Sequence, residues 1–185
     1  MNRPLRADAQ RNRERVLAVA KEAFTADGLA VSMPEIARRA GVGVGTIYRQ
    51  FPTKEALFEA IVVEDLRTMV ERARALEAAD DPGEAFFAFL TGAAEEGADN
   101  GAFKEALAGA GIDLGAAKSA TEKELYDVAG HLLERAQQAG QVRADVSLTD
   151  VFALLSGVLS STDRRQGKEP LRRLLAVVSD GLRVV

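Results

Sequence analysis

The sequence holds no cysteine, no tryptophan and a single histidine in 185 residues. Without cysteine there can be no disulfide scaffold, thiolate zinc site, iron–sulfur cluster or cysteine nucleophile. One histidine removes every mechanism that needs two. No run approaches the roughly 20 apolar residues that carry a helix across a bilayer, so no membrane association is expected. The arginine-rich stretch Met1–Arg15 has no apolar segment behind it. It does not read as a secretory signal, and the expected compartment is the cytoplasm. Convincing strand alternation is missing, and so is any internal repeat. Charge of one sign is missing too: 24 Lys+Arg face 28 Asp+Glu, a net charge of −4. Taken alone, that average argues against a polyanionic partner.

What is present begins with apolar residues, 47% of the chain, too many for a disordered polymer. A chain this long buries roughly 70% of its unfolded surface without a disulfide or metal. It has room for one domain, or for a small domain joined to a larger one. The charge is unevenly spread. Residues 1–54 carry ten basic and five acidic residues, a balance of +5, and the remainder carries −9. A basic head on an acidic body suits a head that meets a polyanion. The alternative is that these arginines are solvated helix-face residues.

Periodicity reads helical almost throughout, so the fold class is all-α. In Ala9–Ala26 the apolar residues Val16, Val19, Ala20, Ala23 and Phe24 recur at helical spacing, and Asp27-Gly28 stops the run. Ser32-Met33-Pro34-Glu35 reads as a capping box, with the Ser32 hydroxyl accepting from the Glu35 N–H and Glu35 reaching back. It opens a short helix to Ala40. After the turn Gly41-Val42-Gly43, a second short helix covers Val44–Gln50, with Ile47 and Phe51 facing inward, and Pro52 closes it. Thr53 caps a long helix, Lys54 to about Ala79. Further helices are expected over Glu84–Glu96, Phe103–Leu107, Ala120–Ala139, Thr149–Ser161 and Lys168–Arg183. The glycine-rich residues Gly109–Gly115 form a loop and a candidate gate.

Two short helices joined by a glycine turn behind a longer one match helix-turn-helix geometry. The second would be the recognition helix, with Val44, Gly45, Thr46, Tyr48, Arg49 and Gln50 outward. Gly45 allows close backbone approach. Thr46 and Tyr48 can donate to phosphate oxygens, Arg49 to phosphate or guanine, and Gln50 can pair bidentately with adenine. Lys54 stands at the first turn of the next helix, where its ammonium and free backbone N–H groups could clamp a phosphate. The run Gly41-Val42-Gly43-Val44-Gly45 partly imitates a dinucleotide loop. Such a loop follows a strand, whereas this run follows a capped helix and lacks the third glycine.

Residues Ser32–Leu57, SMPEIARRAGVGVGTIYRQFPTKEAL, resemble the DNA-binding signature of TetR-family transcriptional regulators. The resemblance covers the first third of the chain in detail. It implies an N-terminal helix-turn-helix domain, residues 1–53, and a C-terminal helical regulatory and dimerisation domain, residues 54–185. It further implies a homodimer on a palindromic double-stranded DNA operator, released by a small-molecule effector. By position Thr46, Tyr48 and Lys54 match the family's phosphate contacts, Val44, Gly45 and Gln50 its base-facing positions, and Ser32 a cap that touches phosphate. The chain departs from the pattern at Gly43, where Ser is common, and at Gln50, where His or Tyr is common.

The last two helices are the natural dimer surface, isologous about a two-fold axis, although part of each apolar stripe must be internal core. The effector pocket is expected among the helices that start at Lys54, Glu84, Phe103 and Ala120. Its candidate lining residues are Leu66, Met69, Phe86, Phe89, Phe103 and Tyr126, each also readable as plain core. His131 reads as a hydrogen-bonded histidine. No cofactor, metal site or catalytic residue is expected. The rival readings are a helical adaptor whose head has lost DNA affinity and, with no nucleophile–base pair in sight, an enzyme.

Overall fold

The computed structural model describes residues 3–109, 116–162 and 167–184, with side chains described for these except 3–7, 29, 99–109 and 116–119. The described residues form eight α-helices and no strand. The helices are α1 (Arg3–Asp27), α2 (Met33–Arg39), α3 (Val44–Gln50), α4 (Lys54–Glu77), α5 (Pro82–Gly109), α6 (Ala116–Gln138), α7 (Leu148–Ser161) and α8 (Glu169–Leu182). Two compact units contain them. One holds the described residues up to Asp65 and those of 102–119; the other holds 66–101 and those from 120 onward. The division falls inside α4, after Asp65.

In the first unit α1 buries Val16, Leu17, Ala20, Ala23 and Phe24, one face of a 3.6-residue period. A single 3-10 turn, Gly28–Ala30, follows it. The Ser32 hydroxyl caps α2 by accepting the Glu35 N–H at 3.3 Å, but the second half of the expected capping box is missing. The Glu35 carboxylate is held by Arg38 and Arg39 instead. Charge-assisted bonds to two guanidiniums one turn away outcompete a neutral backbone donor.

The turn into α3 depends on Gly41, whose φ of +64° lies where side chains are disfavoured. That conformation brings the Val42 N–H to the Ala37 carbonyl at 3.0 Å and the Gly41 N–H to that of Arg38 at 3.2 Å. Arg15 reaches over from α1 and donates to the Ala40 carbonyl at 2.8 Å, fixing the turn against the first helix. Ile36 and Ile47 are fully buried, with Phe51, Leu57, Phe58 and Ile61 close behind. The Phe24 and Phe58 rings meet at 4.3 Å between centroids. Thr53 caps α4 as its position predicts, accepting the Ala56 N–H at 3.1 Å.

Helix α5, whose residues up to 101 belong to the second unit, differs from expectation. A break was expected between Glu96 and Phe103, yet α5 runs unbroken from Pro82 to Gly109. Buried Phe86, Phe87, Phe89, Leu90, Ala93 and Ala94 hold its first half, where packing outweighs the low helix propensity of Gly92. Gly97 is needed, because a Cβ would lie 2.7 Å from Cδ1 of Leu159 on α7. A Ser147/Asp150 capping box starts α7, a signal the sequence reading passed over when it began this helix at Thr149. The end of α8 is secured by Arg143, whose N–H donates to the Leu182 carbonyl at 2.9 Å, and by Arg183, stacked 4.1 Å from the Phe87 centroid. Positions 110–115 of the expected glycine loop lie outside the described residues.

Candidate functional site

The outward face of α3 follows from where its apolar residues go. Ile47 is fully buried and Phe51 nearly so, which turns the opposite side of this two-turn helix to solvent. Val44 and Tyr48, four residues apart and each 44% exposed, form one ridge of that face. Gly45 and Arg49 are exposed beside them. Thr46 is half-buried, its N–H donated to the Gly43 carbonyl at 2.8 Å. Ser32 stands exposed at the start of α2, its oxygen engaged by the Glu35 N–H.

Two candidates sit differently from expectation. Gln50 is half-buried, three residues on from Ile47, and its Oε1 is shut off from solvent without a hydrogen-bond partner. In this position it does not offer the paired donor and acceptor that adenine requires. Lys54 is half-buried, with Nζ 5.7 Å from the Phe24 ring centroid. The backbone groups expected to help it clamp a phosphate are largely occupied. Thr53 takes the Ala56 N–H. The Glu55 carboxylate takes its own N–H and then the Thr53 hydroxyl, which together hold it below the ordinary carboxylate range.

Many cations of the head are spent on structure. Arg11 pairs with Asp8, Lys21 with Asp65, Arg38 with Glu35, and Arg39 with both Glu35 and Asp27. Arg49 has no acidic partner among the described residues. Two residues the sequence reading missed also shape this face: Arg15, which holds the turn, and Arg13, whose guanidinium lies 5.1 Å from the Phe51 centroid. Local periodicity marks both as solvated helix residues. Only the approach of α1 to the turn and to Phe51 reveals them.

In the second unit a cleft of about 370 Å³ lies between α4 and α5. Met69, Leu76, Ala88, Phe89 and Gly92 line it, with Arg72 ion-paired to Glu96 at 2.8 Å. Of the six pocket candidates, only Met69 and Phe89 meet here. Leu66 and Phe86 are core, the latter edge-on to Phe87 at 5.4 Å. Tyr126 is 45% exposed, its hydroxyl 2.8 Å from the Thr149 Oγ1 and its ring against Phe152. The side chain of Phe103 lies outside the described ones. His131 is hydrogen-bonded, with Nδ1 3.3 Å from Glu77 Oε1. Along α7 and α8, Leu154, Leu174 and Val177 are exposed, and an open groove of about 600 Å³ runs past Leu154, Gly157, Val158, Leu174 and Val178. Among the described residues no helix is long and apolar enough to cross a membrane.

Known proteins share this arrangement. The family model for bacterial regulatory proteins of the tetR family matches residues 16–61, and the model for the transcriptional regulator SbtR-like C-terminal domain matches 81–184. An HTH-type transcriptional regulator of Staphylococcus aureus strain bovine RF122 / ET3-1 is 37% identical over 67 residues, 36% of either chain. The chain thus spans about a third of the length of the curated relatives it matches. Two crystal structures align over nearly the whole chain. The TetR transcription regulatory protein of Mycobacterium vanbaalenii is 46% identical, with a TM-score of 0.79, covering 98% of this chain and 100% of its own. The TetR transcriptional regulator SCO0520 of Streptomyces coelicolor is 33% identical, with a TM-score of 0.77, covering 92% and 98%. The chain belongs to the TetR family and is a transcriptional regulator of the helix-turn-helix class, not an enzyme.

Proposed function

We propose that this protein is a cytoplasmic, ligand-responsive repressor that binds a palindromic double-stranded DNA operator as a homodimer and leaves it when a small-molecule effector binds. Residues 1–53 would serve as the DNA-binding domain and 54–185 as the regulatory and dimerisation domain. The observation that carries the reading is the exposed α3 face of Val44, Gly45, Tyr48 and Arg49, set between Ser32 and Lys54 in the segment where the family model matches.

Tyr48, Thr46 and Ser32 donate hydroxyl protons to phosphates, and Lys54 and Arg49 supply charge. Val44 and Gly45 let the helix lie close to base edges, and Gln50 reads one base. The apolar α4–α5 cleft around Met69 and Phe89 supports an effector of small apolar character. The exposed α7–α8 ridge supports a second copy of the chain.

Selection of bound fragments from the source genome would yield the operator. On it, Tyr48→Ala and Lys54→Ala are expected to abolish the gel shift with helicity and assembly intact. Affinity should also fall steeply with salt as counterions are released. Unchanged affinity in both variants, or a flat salt dependence, overturns the reading. Gly92 faces open space, so Gly92→Leu should fill the cleft, leaving operator affinity unchanged and blocking release by a host-cell metabolite extract.

A further inference from the structure

The α4–α5 cleft is apolar except at one place. Among the described residues that line it, only Arg72 has a polar side chain, and its Nη1 lies 2.8 Å from Oε2 of Glu96. Glu96 continues the α5 wall, four residues on from Gly92 and three from Ala93, on the same face of the helix. The two partners are unequally held. The Arg72 side chain is 65% exposed and the Glu96 side chain 18%. Glu96 has no other ionic partner among the described residues. Its neighbour Glu95 is engaged by Arg172 of α8.

That asymmetry sets the sign of charge the cleft accepts. A cation that takes Glu96 sends Arg72 back to water, and an arginine already so exposed loses little by leaving a pair. An anion that takes Arg72 strands a mostly buried carboxylate beside a second negative charge, the costlier exchange. A neutral ligand leaves the pair intact and gains apolar contact alone. We propose that the cleft binds a lipophilic amine: its protonated head replaces the Arg72 guanidinium on the Glu96 carboxylate, and its hydrocarbon tail lies along Met69, Leu76 and Phe89. This names the chemical class of the effector and rests on the reading of the cleft as the effector site. An alkylamine keeps its proton at pH 7, as a lysine does, and donates to the carboxylate in a charge-assisted hydrogen bond. The balance of −9 beyond residue 54 adds a general attraction for cations. A volume of about 370 Å³ lies at the small end of ligand pockets and suits a short single tail.

The test is equilibrium dialysis of the full chain at pH 7 against octylamine, octanoate and 1-octanol, which share a tail and differ in the head. Octylamine is expected to bind at least about tenfold more tightly than either of the others. Glu96→Gln keeps the shape of the side chain and removes its charge. It should weaken octylamine by about tenfold and leave octanol unchanged. Arg72→Gln removes the competitor for Glu96 and should tighten octylamine. A substitution that merely loosened the cleft would weaken all three probes together. No binding of octylamine by the wild type, octanoate bound as tightly, or octylamine indifferent to Glu96→Gln each overturns the proposal.

Failure of the effector reading shows separately. If Gly92→Leu loses octylamine yet still releases operator with the metabolite extract, the effector binds elsewhere and the amine site stands. If Gly92→Leu blocks release while the wild type ignores octylamine, the cleft remains the effector site and its preference for an amine is refuted.

Discussion

Glu35 shows how single residues set the helix-turn-helix. It accepts from Arg38 Nη2 at 2.7 Å and Nε at 2.8 Å, and from Arg39 Nε at 2.8 Å, while Arg39 also reaches Asp27 at 2.6 Å. The Arg38 bond first and the Arg39 bond second draw its carboxyl from 4.5 down to about 2. An acid with a depressed folded-state value stabilises the fold above its unfolded value and loses that contribution as pH falls through the folded one. Glu35→Gln should therefore melt below the wild type at pH 7, and the gap should close as pH falls from 4.5 to about 2. A gap that stays constant with pH would mean that the contribution is not ionic. The site is exposed, so salt should shrink the gap. The outward direction of Tyr48 was readable at this scale, because it follows from the burial of Ile47 one position away. The half-burial of Gln50 and the roles of Arg13 and Arg15 were not. Each depends on a contact between residues far apart in sequence, about which helical period is silent.

Among the elements, α5 puts propensity and packing in opposition. Gly92 and Gly97 both sit inside this helix, and propensity alone makes either a site where alanine gains about 1 kcal/mol. Their surroundings separate them. A Cβ on Gly92 meets nothing within 4 Å, whereas one on Gly97 comes 2.7 Å from Leu159 Cδ1. Gly92→Ala should raise stability in urea melts by up to about 1 kcal/mol. Gly97→Ala should give that gain back, since added volume in a packed contact costs about 1–3 kcal/mol. Equal effects of the two substitutions would remove the close α5–α7 approach as the reason for Gly97. The same opposition explains which elements were legible. Caps and stops such as Ser32, Thr53 and Pro52 act within a few residues, and they correctly placed α2, α3 and the start of α4. The continuity of α5 past Glu96 was not legible, because Gly97 reads locally as a breaker and its reason, the close approach of Leu159 on α7, joins residues far apart in sequence.

For the whole molecule, the question is what occupies the apolar ridge of α7 and α8. Their sequence stripes mix two populations. Val151, Leu155, Val158, Leu171, Leu175 and Leu182 are buried within the chain, while Leu154, Leu174 and Val177 remain outside, Val177 at 70% exposure. Only the structure separates core from ridge, since both recur at helical spacing. If the occupant is a second copy of the chain, the contact is isologous and every substitution enters it twice. Val177→Glu would then place two carboxylates in an apolar contact with no partner, and Val177 touches too little of its own chain for folding to suffer. The variant should keep its helicity and melting temperature at low concentration yet sediment as a monomer where the wild type is a dimer. Operator binding should weaken by about a hundredfold or more, because a monomer loses the effective concentration that links two half-sites. A half-site duplex, read by one head, should bind both proteins alike. A Val177→Glu chain that still dimerises and holds the full operator tightly would move the dimer contact elsewhere, while equal loss on the half-site would trace the defect to α3 and leave the dimer contact untouched.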